Sequence, residues 1–245
     1  MRSLHLDLWD AVGLALLVAL LVARLRAARA GGEGRVYWRL VAFCAGWALA
    51  LAGILTPLDR LGEGGLLVAH IGQHILLGDL AAPLLVLGLA PAWNRWLRVR
   101  LARLDSRAGR AWGILRFALS PVGAVVVWTA ATYFWLIPSL HLLAAPAGLL
   151  QLVDQLSFLG FGALVWLGAF DPRSPQDARN GLRRGGLPWW GRHIYAMVSR
   201  LAMLPPAFAI WLASPGTYHD VSDPWRWSLS RSDDSVIAAS VWIGF

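Results

Sequence analysis

The sequence predicts an all-α fold: a polytopic transmembrane helical bundle with six full spans, a partial seventh and its N-terminus outside, forming one integral membrane domain over residues 1–245. Three observations carry this reading. Hydrophobic residues make up 58% of the chain, above the roughly 45–50% of soluble domains. Charged residues make up 15%, where about 25% is usual, and mean hydropathy is +0.56. Apolar runs of about 20 residues, the length that crosses a ~30 Å hydrocarbon core, recur along the chain. Too little charge remains to cover a water-facing surface, which argues against a soluble enzyme. The apolar runs argue against disorder, and Cys44, the one cysteine, argues against a disulfide scaffold.

Six segments meet the spanning length: Leu4–Leu25, Val36–Thr56, Gly64–Ala90, Ala118–Pro138, Ala147–Phe170 and Ile194–Ala213. They are helices rather than barrel strands because they are long and unbroken and lack an alternation of period two. A seventh apolar run starts near Ser235 and is too short to cross. The start of the chain does not read as a signal peptide. Asp7 and Asp10 precede the first apolar run and the arginines follow it, so the first span is expected to be retained.

The arginines orient the bundle. All 22 basic residues are arginine, and the formal charge is +8. Five gather from the end of the first span to the start of the second (Arg24, Arg26, Arg29, Arg35, Arg39). Seven follow the third (Arg95, Arg98, Arg100, Arg103, Arg107, Arg110, Arg116), and five follow the fifth (Arg173, Arg179, Arg183, Arg184, Arg192). Arg2, Arg60, Arg226 and Arg231 fall on the other side, and Arg200 lies inside the sixth span. This asymmetry places the N-terminus outside and the three basic connections in the cytoplasm. Because the arginines sit between apolar runs rather than along one face, they point to topology and anionic headgroups and not to nucleic acid. Trp38, Trp93, Trp96, Trp112, Trp189 and Trp190 mark inner interfaces, and Trp9, Trp135, Trp211, Trp225 and Trp227 outer ones. The stretch Trp93–Arg116 mixes Trp, Leu and Arg at helical spacing. It reads either as a helix along the inner headgroups or as a solvated basic loop.

Polar groups within a span are costly, so they carry the functional signal. His70 and His74 are four apart and project from one helical face, with Gln73 beside them. Two imidazoles at that spacing can grip one metal ion, copper or zinc foremost. The same pair can hold neighbouring helices by hydrogen bonds, and haem ligation or proton relay are further readings. In the fifth span Gln151, Asp154 and Gln155 also share a face, and Asp154 needs a partner there. By the arginine count both groups lie in the outer third of their spans, and an outer-facing polar pocket between spans three and five is expected. His141 lies in the outer connection between spans four and five. His219, with Tyr218 and Asp220, is in the outer loop after span six, and His5 is on the outer tail. His193 alone is expected inside. Asp79 lies roughly 140° around the helix from His74 and is expected to serve another contact. Arg200 snorkels or pairs with a buried acid. Cys44, Met197 and Met203 read as packing rather than as soft copper ligands. No Gly-rich phosphate loop, CxxC pair or nucleophile elbow is present, so there is no case for a hydrolase or kinase and no enzyme activity is expected.

The run His70-Ile71-Gly72-Gln73-His74-Ile75-Leu76-Leu77, continuing to Ala82-Pro83-Leu84-Leu85-Val86-Leu87-Gly88-Leu89-Ala90-Pro91, resembles the H-x-x-Q-H-x-L-L…P-L-L-x-L-G-x-P signature of the CtaG type of cytochrome c oxidase assembly factors, associated with caa-type oxidases. The resemblance covers about residues 36–245. It extends through Ser120-Pro121, Trp135 with Pro138, Leu156-Ser157-Phe158 with Trp166, Met203-Leu204-Pro205, Tyr218, and Asp233 ahead of Trp242. The chain departs from the pattern at three histidines, where Leu136, Gln151 and Gln155 stand, and at the paired glutamines, where Asp234 and Ser235 stand.

The resemblance implies a multi-pass protein of a bacterial plasma membrane that matures a haem-copper cytochrome c oxidase, with oxidase subunits and the lipid bilayer as partners. It further implies copper handling at the outer face, with His70 and His74 as ligands and Asp154 as ligand or as the acceptor that fixes an imidazole tautomer. His141 is a candidate replacement for a lost ligand. Three other classes stay open. One is a small transporter using Asp154, Asp79 and the histidines as a relay. Another is a haem-binding redox protein, disfavoured because His70 and His74 on one helix cannot both ligate one haem axially. The last is a scaffold that binds oxidase subunits without metal.

Overall fold

The computed structural model describes residues 8–31, 37–55, 61–62, 65–89, 93, 96, 99–100, 109–144, 148–170, 187–214, 216–219 and 228–244. His5, Asp220 and many of the loop arginines lie outside the described residues. Within them the regular elements are all helical. In chain order they are α1 (Leu8–Gly31), α2 (Tyr37–Leu55), α3 (Leu67–Leu87), α4 (Arg110–Ala118), α5 (Pro121–Trp135), α6 (Pro138–Ala144), α7 (Leu149–Phe170), α8 (Trp189–Leu201), α9 (Leu204–Leu212) and α10 (Arg231–Gly244).

Among the described residues, five stretches are long and apolar enough to cross a membrane: Leu8–Ala30, Tyr37–Leu55, Leu67–Leu87, Leu149–Phe170 and Trp190–Leu212. A sixth exists only if α4 and α5, bent by 83° at their junction, count as one span. Here the structure differs from the expected continuous helix over 118–138. α5 has 15 residues, about 22 Å at 1.5 Å per residue. Its start is fixed by Ser120, whose hydroxyl oxygen accepts from Gly123 N at 3.1 Å and whose O–H donates to Phe117 O at 2.7 Å. A Cβ on Gly123 would fall 1.7 Å from Phe117 O, so the corner needs glycine. α4 buries none of its side chains and exposes Ile114 and Phe117. Of the Trp93–Arg116 stretch, residues 110–116 are thus helical rather than a loop. The final helix begins at Arg231 rather than near Ser235, because Ser230 caps it through Asp233 N at 3.0 Å. It covers 14 described residues.

α3 is the central element, packed against α2, α7 and α10. Its residues Leu76–Ala81 form a π-helical turn between two α-helical segments. Pro83 explains that turn, since a proline inside a helix removes a donor and crowds the preceding turn. Ala82 N donates five residues back, to Leu77 O. The same register would give Gly78 O the N–H of Pro83, which does not exist. Trp166 on α7 supplies the missing donor, its Nε1 lying 3.2 Å from Gly78 O. The two helices meet closely at this point: a Cβ on Gly162 would stand 2.7 Å from Gly78 O and 2.8 Å from Gly78 Cα.

This close approach makes a controlled prediction. Gly162→Ala forces backbone apart and is expected to lower stability by about 1–3 kcal/mol. Gly160→Ala on the same helix, where an added Cβ meets nothing within 4 Å, is expected to be neutral or slightly stabilising. Thermal unfolding of both variants in detergent checks this, and equal midpoints would contradict the packing described.

Candidate functional site

Helical spacing on α3 puts His70 and His74 on adjacent turns, with ring centroids 4.5 Å apart. α7 brings Asp154 to them. His74 Nε2 lies 2.9 Å from Asp154 Oδ2, and His70 Nε2 lies 3.6 Å from the same oxygen. The three residues are 3%, 2% and 1% exposed. Their ligand atoms all fall within 4.8 Å of one another. Ligands shared by one ion at about 2.0–2.2 Å can be no more than about 4.4 Å apart, so a closure of a few tenths of an ångström suffices. The polar groups of the third and fifth spans thus meet, with Asp154 against both imidazoles.

Two further observations bear on whether a metal fits. Asp154 Oδ1 and His74 Nδ1 are buried without a hydrogen-bond partner among the described residues, and unsatisfied buried polar atoms are rare. The His74 ring is also held in plane by Phe158, stacked at 3.7 Å and 14°. Two imidazole nitrogens and a carboxylate oxygen, with no sulfur among them, suit copper or zinc. Metal binding here would displace the proton that His74 Nε2 shares with Asp154.

The other residues singled out from the sequence sort as follows. His141, on α6, lies edge-on to His70 with centroids 4.6 Å apart, but it is not part of the set whose ligand atoms are mutually within reach. Burial, and then the neighbouring His70 and His74, hold its pKa well below the ordinary value. The ring is thus neutral near pH 7, with a lone pair to offer. Gln73 turns away from the site and donates from Nε2 to Gly53 O on α2 at 2.6 Å. Gln151 and Gln155 are buried on α7 beside Asp154, and Leu136 packs in the apolar core. Asp79 does serve another contact, an ion pair with Arg200. Arg200 therefore takes the pairing option rather than snorkelling. Met203 is a core residue and Met197 is exposed.

Two charged residues that hold this site in place were not legible as such. Asp234 is fully buried and accepts from Leu67 N at 2.7 Å, Val68 N at 3.0 Å and His219 Nε2 at 2.9 Å. It thus caps the N-terminus of α3 from another helix, where amides are unpartnered and negative charge is favoured. Sequence pattern marked Asp234 only as a departure from the family's glutamines. Arg24, counted among the cytoplasmic charges of the first connection, lies instead within α1 and is fully buried. It donates from Nε to Gly88 O at 2.8 Å at the other end of α3, its guanidinium 5.8 Å above the Phe43 ring.

Asp234→Ala leaves two helix amides and an imidazole without their charged acceptor, with an expected loss of about 2–4 kcal/mol. Thermal unfolding, together with faster hydrogen exchange at Leu67 and Val68, checks it. Unchanged stability and protection would contradict the cap.

The model of the cytochrome c oxidase caa3 assembly factor family, Caa3_CtaG, matches residues 16–245. No curated protein and no solved structure matches the chain.

Proposed function

The chain belongs to the cytochrome c oxidase caa3 assembly factor family, and from that premise we propose that it matures a haem-copper oxidase in a bacterial plasma membrane by holding a copper ion as cargo on His70, His74 and Asp154. The convergence of two imidazoles and a carboxylate from α3 and α7, buried and mutually within 4.8 Å, carries this reading. The role asks for no catalytic step, only capture of the ion and its release to an oxidase subunit.

The outer face is the proposed side of capture. The site lies at the start of α3 and of α7, beside α6. Arg24 and Gly88 mark the opposite end of α3, the end that an arginine-rich connection follows in the sequence. With the basic connections in the cytoplasm, the N-terminus and the site both face outward. His74 and Asp154 supply charge and donors, Phe158 fixes the His74 ring, and the apolar residues around them exclude water. The three departures from the family's histidines leave the ion fewer imidazoles on α7 and at the end of α5. The carboxylate of Asp154 then matters more here, because it alone carries a formal negative charge to the ion.

The test is metal content. Protein purified in mild detergent is expected to hold about one copper per chain, and a His70→Ala/His74→Ala variant none, by elemental analysis of copper, zinc and iron. Absence of metal from both, with the variant normally folded, would sink the copper role.

A further inference from the structure

His70, His74 and Asp154 are 1–3% exposed, so an ion reaches them only past other groups. On their flanks stand apolar spans, in which a bare cation is costly. At the end of the bundle stands His141. It sits on α6, outside the spanning stretches, 4% exposed, and its Nδ1 has no hydrogen-bond partner among the described residues. One edge of its surroundings is the His70 ring at 4.6 Å and 81°. The other is Tyr218 at 5.6 Å and 81°, in the turn that also carries His219. His141 is too far from the other ligands to share an ion with all three, yet it adjoins one of them.

We propose that His141 is a transfer ligand, passing the ion from the end of the bundle to His70, His74 and Asp154 and not retaining it. This rests on the copper reading above and adds a route to it. The ion, first held by His141 and His70, gains His74 and Asp154 and gives up His141. Coordinate bonds are exchanged, the ion keeps its oxidation state, and the hydrogen between His74 Nε2 and Asp154 Oδ2 moves to His74 Nδ1, which keeps the ring neutral and frees the Nε2 lone pair for the ion. A residue with this role sets how fast the site fills and leaves unchanged what it holds when full.

The experiment separates rate from equilibrium. Metal-free wild type, His141→Ala and His141→Gln in detergent are mixed with copper(II) buffered by excess glycine. Loading is followed by stopped flow, and final stoichiometry and the copper(II) spin-resonance spectrum are recorded. His141→Gln keeps most of the side chain's bulk, so it reports on loading even where His141→Ala fails to fold. The expected result is loading slowed by about tenfold or more, the effect of a modest rise in one barrier, with wild-type stoichiometry and spectrum. Unchanged loading overturns the transfer role. So does an altered spectrum or a reduced stoichiometry, which would make His141 a resident ligand. Wild type that takes up no copper overturns the copper reading itself, an outcome distinct from the others because no chain loads.

Discussion

α3 is held at its two ends by opposite buried charges from other helices, and the geometry of the site depends on that arrangement. Asp234 of α10 meets the free amides at its start, and Arg24 of α1 meets a free carbonyl at its end. Each charge opposes the partial charge of the helix terminus it faces. Leu67 and Gly88 are buried in the protein, so the clamps satisfy backbone groups that would otherwise stay unpaired. Asp234 binds Leu67 N, one turn before His70, and so the rotation of the histidine-bearing face is set by the C-terminal helix. The side chain of Gln73, directed to Gly53 O, fixes the same turn from α2.

The middle of α3 solves a different problem. Pro83 breaks the regular ladder, the π-helical turn absorbs the break, and Trp166 satisfies the carbonyl left over. π-helical turns are frequent at functional sites, and this one follows directly after His74. The contact of Gly78 with Gly162 lets α7 approach closely enough for Asp154 to reach both imidazoles. Asp79, carried by the turn, is neutralised by Arg200 and takes no part in the site. Small residues, one proline and one tryptophan thus decide where a carboxylate on a distant segment comes to lie.

Much of this was legible from residue spacing. His70 and His74 four apart, and Asp154 among buried glutamines, define two helical faces, and burial cost alone predicts that such faces meet. Apolar length located most spans. The remainder depends on partners that periodicity does not encode. Arg24 looks like a flanking topological charge, and only its position in α1 shows that it reaches Gly88. Asp234 looks like an ordinary acid in a first turn, yet it caps a helix 166 or more residues earlier in the chain. The fourth span looked continuous because Ser120-Pro121 is short. Its corner rests on Gly123, whose lack of a Cβ carries no hydropathy signal. His141 was legible as a candidate ligand, but its position one step outside the tight set follows from the path of α6.

The central claim is that two imidazoles of α3 and one carboxylate of α7 form a single ligand set. X-ray absorption at the copper edge of the loaded protein tests it most directly. The account predicts a first shell of nitrogen and oxygen only, with multiple scattering from two imidazole rings, reduced to at most one ring in His74→Ala. Sulfur in the first shell, or an unchanged spectrum in His74→Ala, would contradict it.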